Sequence, residues 1–174
     1  LVLHLGDIVD QAREPQYEVY RRIRDTMRKP IHEIPGNHDP PELFARHIRR
    51  AIDTAFDHRG IRFVLINNSR YGEIHGFMTP AQLRWMAEQF EDAARRGLWL
   101  VLAMHVPAHV NRFPDSGAHV RPEHGQKQLY ELLDRHRDRV LLLLHGHFHC
   151  GLRGWNDLGP WHEIVFPSAL YNRN

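Results

Sequence analysis

Cys150 is the only cysteine in the 174 residues, so no disulfide can close within the chain. That leaves the compartment open and leans toward a reducing one such as the cytoplasm. A lone cysteine also rules out a thiolate metal cluster. Lysine is almost absent: Lys29 and Lys127 are the only two, and arginine carries the rest of the basic charge. The formal net charge of +2 is too small to suggest a nucleic-acid or anionic-membrane partner. No apolar run approaches the roughly 20 residues of a membrane-spanning helix. There is no internal repeat, no low-complexity tract and no linker. The chain therefore reads as one domain over residues 1–174, long enough to bury a core.

Against that background stand four short polar clusters, each at the downstream end of an apolar run. They are Gly6-Asp7-Ile8-Val9-Asp10, Gly36-Asn37-His38-Asp39, His105-Val106-Pro107 and Gly146-His147-Phe148-His149. The runs before them are Leu1 to Leu5, Ile31 to Ile34, Leu98 to Met104 and Val140 to Leu144. Such runs, bounded by turn residues, read as buried strands. Ligands of layered α/β proteins sit beyond the carboxyl ends of the strands, so these clusters can meet on one patch. Together they offer oxygen and imidazole donors, which suit Mn, Fe, Zn or Co.

Helical patterns fall between the runs. One is expected from Pro15 to Arg28, with Tyr17, Tyr20, Ile23 and Met27 on one face. A shorter one follows Pro41. Thr79-Pro80-Ala81-Gln82 has the form of a capping box, and Leu83, Met86, Ala87, Phe90 and Ala94 continue as a buried stripe up to Gly97. Another helix is expected from Gln126 to Arg137, burying Leu129, Leu132 and Leu133. Further strands are expected at Ile61–Ile66 and His162–Phe166. The long segment from Val106 to Glu123 carries proline and glycine, and loops of that length are often functional. Strands alternating with helices define an α/β class.

Gly-Asp, Gly-Asn-His-Asp, a lone His and Gly-His-x-His, in that order, resemble the calcineurin-like metallophosphoesterases. The His-Val-Pro step is most similar to the branch holding cyclic-nucleotide and glycerophosphodiester phosphodiesterases. The resemblance implies a four-layer α/β/β/α sandwich with metals at one edge of two facing sheets. It implies two divalent ions and hydrolysis of a small-molecule phosphoester by a hydroxide bridging them. Asp7 would bridge the ions. Asn37, His105 and His147 would complete the second site, and His149 would serve the first. His38 would protonate the leaving oxygen, Asp39 would hold the His38 ring, and Asp10 would orient ligands from behind.

The family's Asp-x-His motif precedes Gly-Asp, and no Asp-x-His stands before Gly6. The reading adopted is a fragment lacking that first strand; the alternative is a non-catalytic binding scaffold with a degenerate metal site. His109, His119 and His124 are candidate substrate contacts because they flank or lie in the long loop after His105, and Asn68 because it ends another strand on the same rim. His4, inside an apolar strand, reads as a satisfied core histidine.

Overall fold

A computed structural model describes residues 1–108, 118–149 and 161–169. His109 and Cys150 lie outside the described residues. The strands are β1 (Val2–Leu5), β2 (Ile31–Ile34), β3 (Thr54–His58), β4 (Ile61–Ile66), β5 (Trp99–Met104), β6 (Val140–His145) and β7 (His162–Val165). The helices are α1 (Glu14–Arg24), α2 (Pro41–His47), α3 (Pro80–Arg95) and α4 (Gln126–Arg135), with a 3₁₀ turn at Pro122–His124. None of the described helices is long and apolar enough to cross a membrane.

Strands β1 and β2 form a parallel pair. The other five form a second sheet in chain order, parallel except for the β3–β4 hairpin. Alternation along the strands separates two apolar layers. Val64, Ile66, Leu100, Leu102 and Met104 face α3 and α4, packing against Met86, Phe90, Leu129 and Leu133. Leu65 and Ala103 face the other way, meeting Ile34 with Leu3, Leu5, Phe56, Phe63 and Leu144 between the sheets. On the far side of β1 and β2, Tyr20 of α1 meets the His4 ring edge-on, and Arg24 pairs with buried Glu33. The order is helices, sheet, sheet, helices: the four-layer sandwich expected above.

The differences from expectation have local causes. Helix α1 stops at Arg24 because the Thr26 hydroxyl and amide both donate to the Ile23 carbonyl and tighten the last turn. Ile23 and Met27 are exposed, and Tyr17 alone of that face is buried. Thr79 caps α3 as expected, its hydroxyl accepting the Gln82 N–H, but Ala93 rather than Ala94 lies in the core. Helix α4 ends at Arg135 and β7 at Val165. Strand β3 was not expected. It is paired by a two-residue turn in which Arg59 and Gly60 both take positive φ, a type I′ geometry that suits the hairpin twist. His4 does not meet its expectation either: its Nδ1 is buried without a hydrogen-bond partner.

Candidate metal centre

The carboxyl ends of β1, β2, β5 and β6 deliver the four polar clusters to one edge of the facing sheets. Close approach of backbone makes this possible. Gly6 has φ +95°, and a Cβ there would strike the His105 ring and come within 2.9 Å of the Gly36 nitrogen. At Gly36 a Cβ would run into the Asp7 carboxylate. Gly36→Ala is therefore expected to lower unfolding free energy by about 1–3 kcal/mol, the usual cost of overpacking, as read by denaturant titration. A stability equal to the parent's would show that the two loops have room to separate.

Two of the expected metal ligands, Asp7 (φ 52°) and His147 (φ 68°), occupy left-handed backbone, which is disfavoured for residues other than glycine. Strain of this kind concentrates where geometry serves function. Around them the side-chain donors gather about His105 Nε2. His105 Nε2 lies 3.2 Å from Asp7 Oδ2, 3.2 Å from Asn37 Oδ1 and 3.2 Å from His147 Nδ1. His147 Nδ1 lies 3.0 Å from Asn37 Oδ1.

The tautomers follow from the outer contacts. His105 Nδ1–H donates to the Leu5 carbonyl at 2.6 Å, and His147 Nε2–H donates to the Ile74 carbonyl at 3.1 Å. Each ring thus turns an unprotonated nitrogen inward. Burial, then the neighbouring His105, pull the His147 pKa down to about 4, which keeps that ring neutral. Burial pushes the Asp7 carboxyl up, but with no ion present a proton on His105 Nε2, together with the His38 N–H, outweighs it and holds Asp7 at about 2; a bound cation would take the place of that proton. Four lone-pair donors facing one another repel unless a cation sits among them. A divalent ion about 2.0–2.2 Å from each donor would set neighbouring donors about 3 Å apart. The donor set therefore fits one such ion. It depends on Asn37, because no three His, Cys, Asp or Glu side chains among the described residues make a cluster by themselves.

His149 is exposed and lines the same cleft as Asp7, His38, His105 and His147. From the expected first site, this chain supplies Asp7 and His149. The cleft encloses about 670 Å³, and Ile8, Val9, Phe148 and Phe166 give it apolar walls.

His38 projects at this cleft, and its ring is not held by Asp39 as expected. Its Nδ1 lies 2.9 Å from the backbone carbonyl of Asp10 and 3.8 Å from that residue's carboxylate. The Asp10 carbonyl raises the His38 pKa against partial burial, and the charges of Asp7, Asp10 and Asp39 add to the effect. Asp10 thus steadies His38, chiefly through its main chain, instead of orienting a metal ligand. Asp39 is buried and accepts four hydrogen bonds: from Ile8 N–H (3.0 Å), Val9 N–H (3.3 Å), Gly36 N–H (2.8 Å) and the Tyr17 hydroxyl (2.7 Å). It locks the Asp7 loop to the Asn37 loop. Burial, helped by the charge of Asp7, pushes its own carboxyl up against the Gly36, Ile8 and Tyr17 donors.

The expected substrate contacts lie elsewhere. Asn68 is fully buried and grips Val106 from both ends, donating to its carbonyl at 2.7 Å and accepting its N–H at 3.1 Å. It fixes the residue after His105, so both ends of its amide are engaged. His119 is buried, with Nδ1 2.9 Å from the Val120 carbonyl, and His124 stacks on Phe77. None of the three lines the cleft. Ile74 was missed by the sequence reading, since a backbone carbonyl leaves no residue signature.

Comparison with known proteins agrees with this architecture. Residues 1–151 match the calcineurin-like phosphoesterase family, and the chain belongs to it. A glycerophosphodiester phosphodiesterase, GpdQ, of Enterobacter lignolyticus is 31% identical over 98 residues, covering 51% of this chain and 35% of that protein. A 3',5'-cyclic adenosine monophosphate phosphodiesterase, CpdA, of Pseudomonas aeruginosa is 26% identical over 97% of this chain and 60% of its own length. The chain thus spans roughly a third to three fifths of these relatives. A crystal structure of a dimetal phosphatase from Danio rerio superposes with a TM-score of 0.76 at 16% identity, over 95% of this chain and 71% of that one.

Proposed function

We propose that this chain carries the hydrolytic centre of a metal-dependent phosphoesterase acting on a small phosphodiester. The observation that carries the reading is the convergence of Asp7, Asn37, His105 and His147 with their lone pairs facing inward. Two divalent ions, of Mn, Fe, Zn or Co type, would supply a bridging hydroxide and positive charge for the phosphoryl oxygens. Asp7 would be shared by the two sites, with Asn37, His105 and His147 completing one and His149 contributing to the other. His38, beside the cleft, would give a proton to the departing oxygen. The substrate class draws on the relatives, which are named for glycerophosphodiesters and cyclic adenosine monophosphate.

Two donors, Asp7 and His149, hold a first ion poorly. The 174-residue chain is accordingly expected to retain about one Mn²⁺ per chain after dialysis and to hydrolyse esters weakly. The same chain carrying an Asp-x-His strand ahead of Leu1 is expected to bind two and turn over. A panel of phosphodiesters and monoesters with Mn²⁺, Fe²⁺, Zn²⁺ and Co²⁺, run on both, tests this. No metal-dependent hydrolysis by either chain would overturn the enzyme reading and favour a binding scaffold.

A further inference from the structure

His145 and Glu163 are buried charged or chargeable groups that line neither the cleft nor the donor cluster. His145 ends β6, two residues before His147. Its Nδ1 lies 3.1 Å from the Met104 carbonyl, just before His105. Its Nε2 lies 2.8 Å from Glu163 Oε1, a close contact that lacks hydrogen-bond geometry. The same Glu163 oxygen accepts the Ala108 N–H at 2.9 Å, just after His105-Val106-Pro107. Gln126 then donates to the Ala108 carbonyl at 2.7 Å.

One imidazole–carboxylate pair thus brackets His105 on both sides and ties the ends of β5 and β6 to Glu163 within β7. A direct bond from the Gly146 N–H to the His105 carbonyl, at 3.1 Å, joins the two ligand loops but makes no link to β7. Desolvating such a pair costs much of what its attraction returns, so a buried pair is weak evidence for stability. Its place, directly behind two inward-facing imidazoles, suggests a positional role instead.

We propose that the His145–Glu163 pair is a positioning device, holding the His105 and His147 rings at the separation that one divalent ion requires. The proposal rests on the metal reading above. Neither residue touches the cleft, so the effect reaches the ion through the backbone on each side of His105 and through the turn into His147. Groups behind metal ligands commonly change affinity about 10–100-fold when removed.

The test is Mn²⁺ titration calorimetry on the 174-residue chain, with folding followed by circular dichroism. In His145→Leu/Glu163→Leu both partners go together, so neither side chain is left buried without the other. Mn²⁺ affinity is expected to fall about 10–100-fold in a folded chain. Glu163→Gln keeps an acceptor for Ala108 and is expected at the lower end of that range, about 10-fold. A folded double variant that binds Mn²⁺ as the parent does would overturn the proposal and leave the metal reading intact. If the double variant does not fold, unchanged affinity in Glu163→Gln overturns it in the same way. No Mn²⁺ binding by the parent chain would overturn the metal reading, and this inference with it.

Discussion

Asp7→Ala is expected to bring phosphoester hydrolysis to background and to weaken Mn²⁺ binding by the 174-residue chain. Asp7 is the only anionic side chain in the cluster of inward-facing donors. One carboxylate oxygen faces His105 Nε2 and the other is held by the His38 N–H at 3.0 Å. With its pKa held at about 2, Asp7 is charged at any working pH. Removing it leaves Asn37, His105 and His147, three neutral donors, to hold a dication. It also removes the one ligand that two ions could share, and two-ion hydrolysis needs the ions roughly 3.5–4 Å apart. Turnover and metal content of the purified variant decide the matter. Two bound metals and parental turnover in the variant, with the Asp-x-His strand supplied, would refute the shared role. Circular dichroism separates this from unfolding, since Asp7 also bonds the His38 loop.

The layers and most elements were legible in the sequence because burial writes itself as period. Apolar runs ended by Gly-Asp or Gly-Asn-His-Asp mark β1 and β2, and the Thr79–Gln82 capping box marks the start of α3. The residues that converge at the candidate metal centre could be picked out in the sequence for another reason: their types and order are carried by local motifs. What failed to show was mostly long-range. Strand β3 escaped because Thr54 to His58 has charged and small residues, and its strand character comes from pairing with β4. Asp39 follows His38 in sequence, yet its four donors come from Ile8, Val9, Gly36 and Tyr17. The role of Asn68 depends on Val106, 38 residues away. His145 lay hidden beside the Gly-His-x-His motif, and its partner Glu163 sits in a short late strand with no motif of its own. Side-chain partners set by tertiary packing leave no periodic trace.

Those corrected partners sharpen what should follow from changing His38. His38→Ala is expected to keep the bound metal and slow turnover by about 10²–10⁴-fold, the range typical of a positioned general acid. The ring takes no part in the donor cluster, so Mn²⁺ affinity should stay near the parent's. Its Nδ1 is anchored on the Asp10 carbonyl, and the surrounding carboxylates favour the protonated form that an acid needs. The deficit should shrink for nitrophenyl esters, whose leaving groups depart without a proton, and persist for alkyl esters. Asp39→Asn provides the contrast. Asp39 does not touch the ring; it joins the loops of Asp7 and Asn37, so its loss should lower stability and metal affinity with no dependence on the leaving group. Rates for alkyl and nitrophenyl diesters, measured side by side on both variants, separate the two roles. An equal deficit for both ester types in His38→Ala would mean that His38 places the phosphoryl group and donates no proton. A leaving-group dependence in Asp39→Asn that matches His38→Ala would restore Asp39 as the partner of that ring.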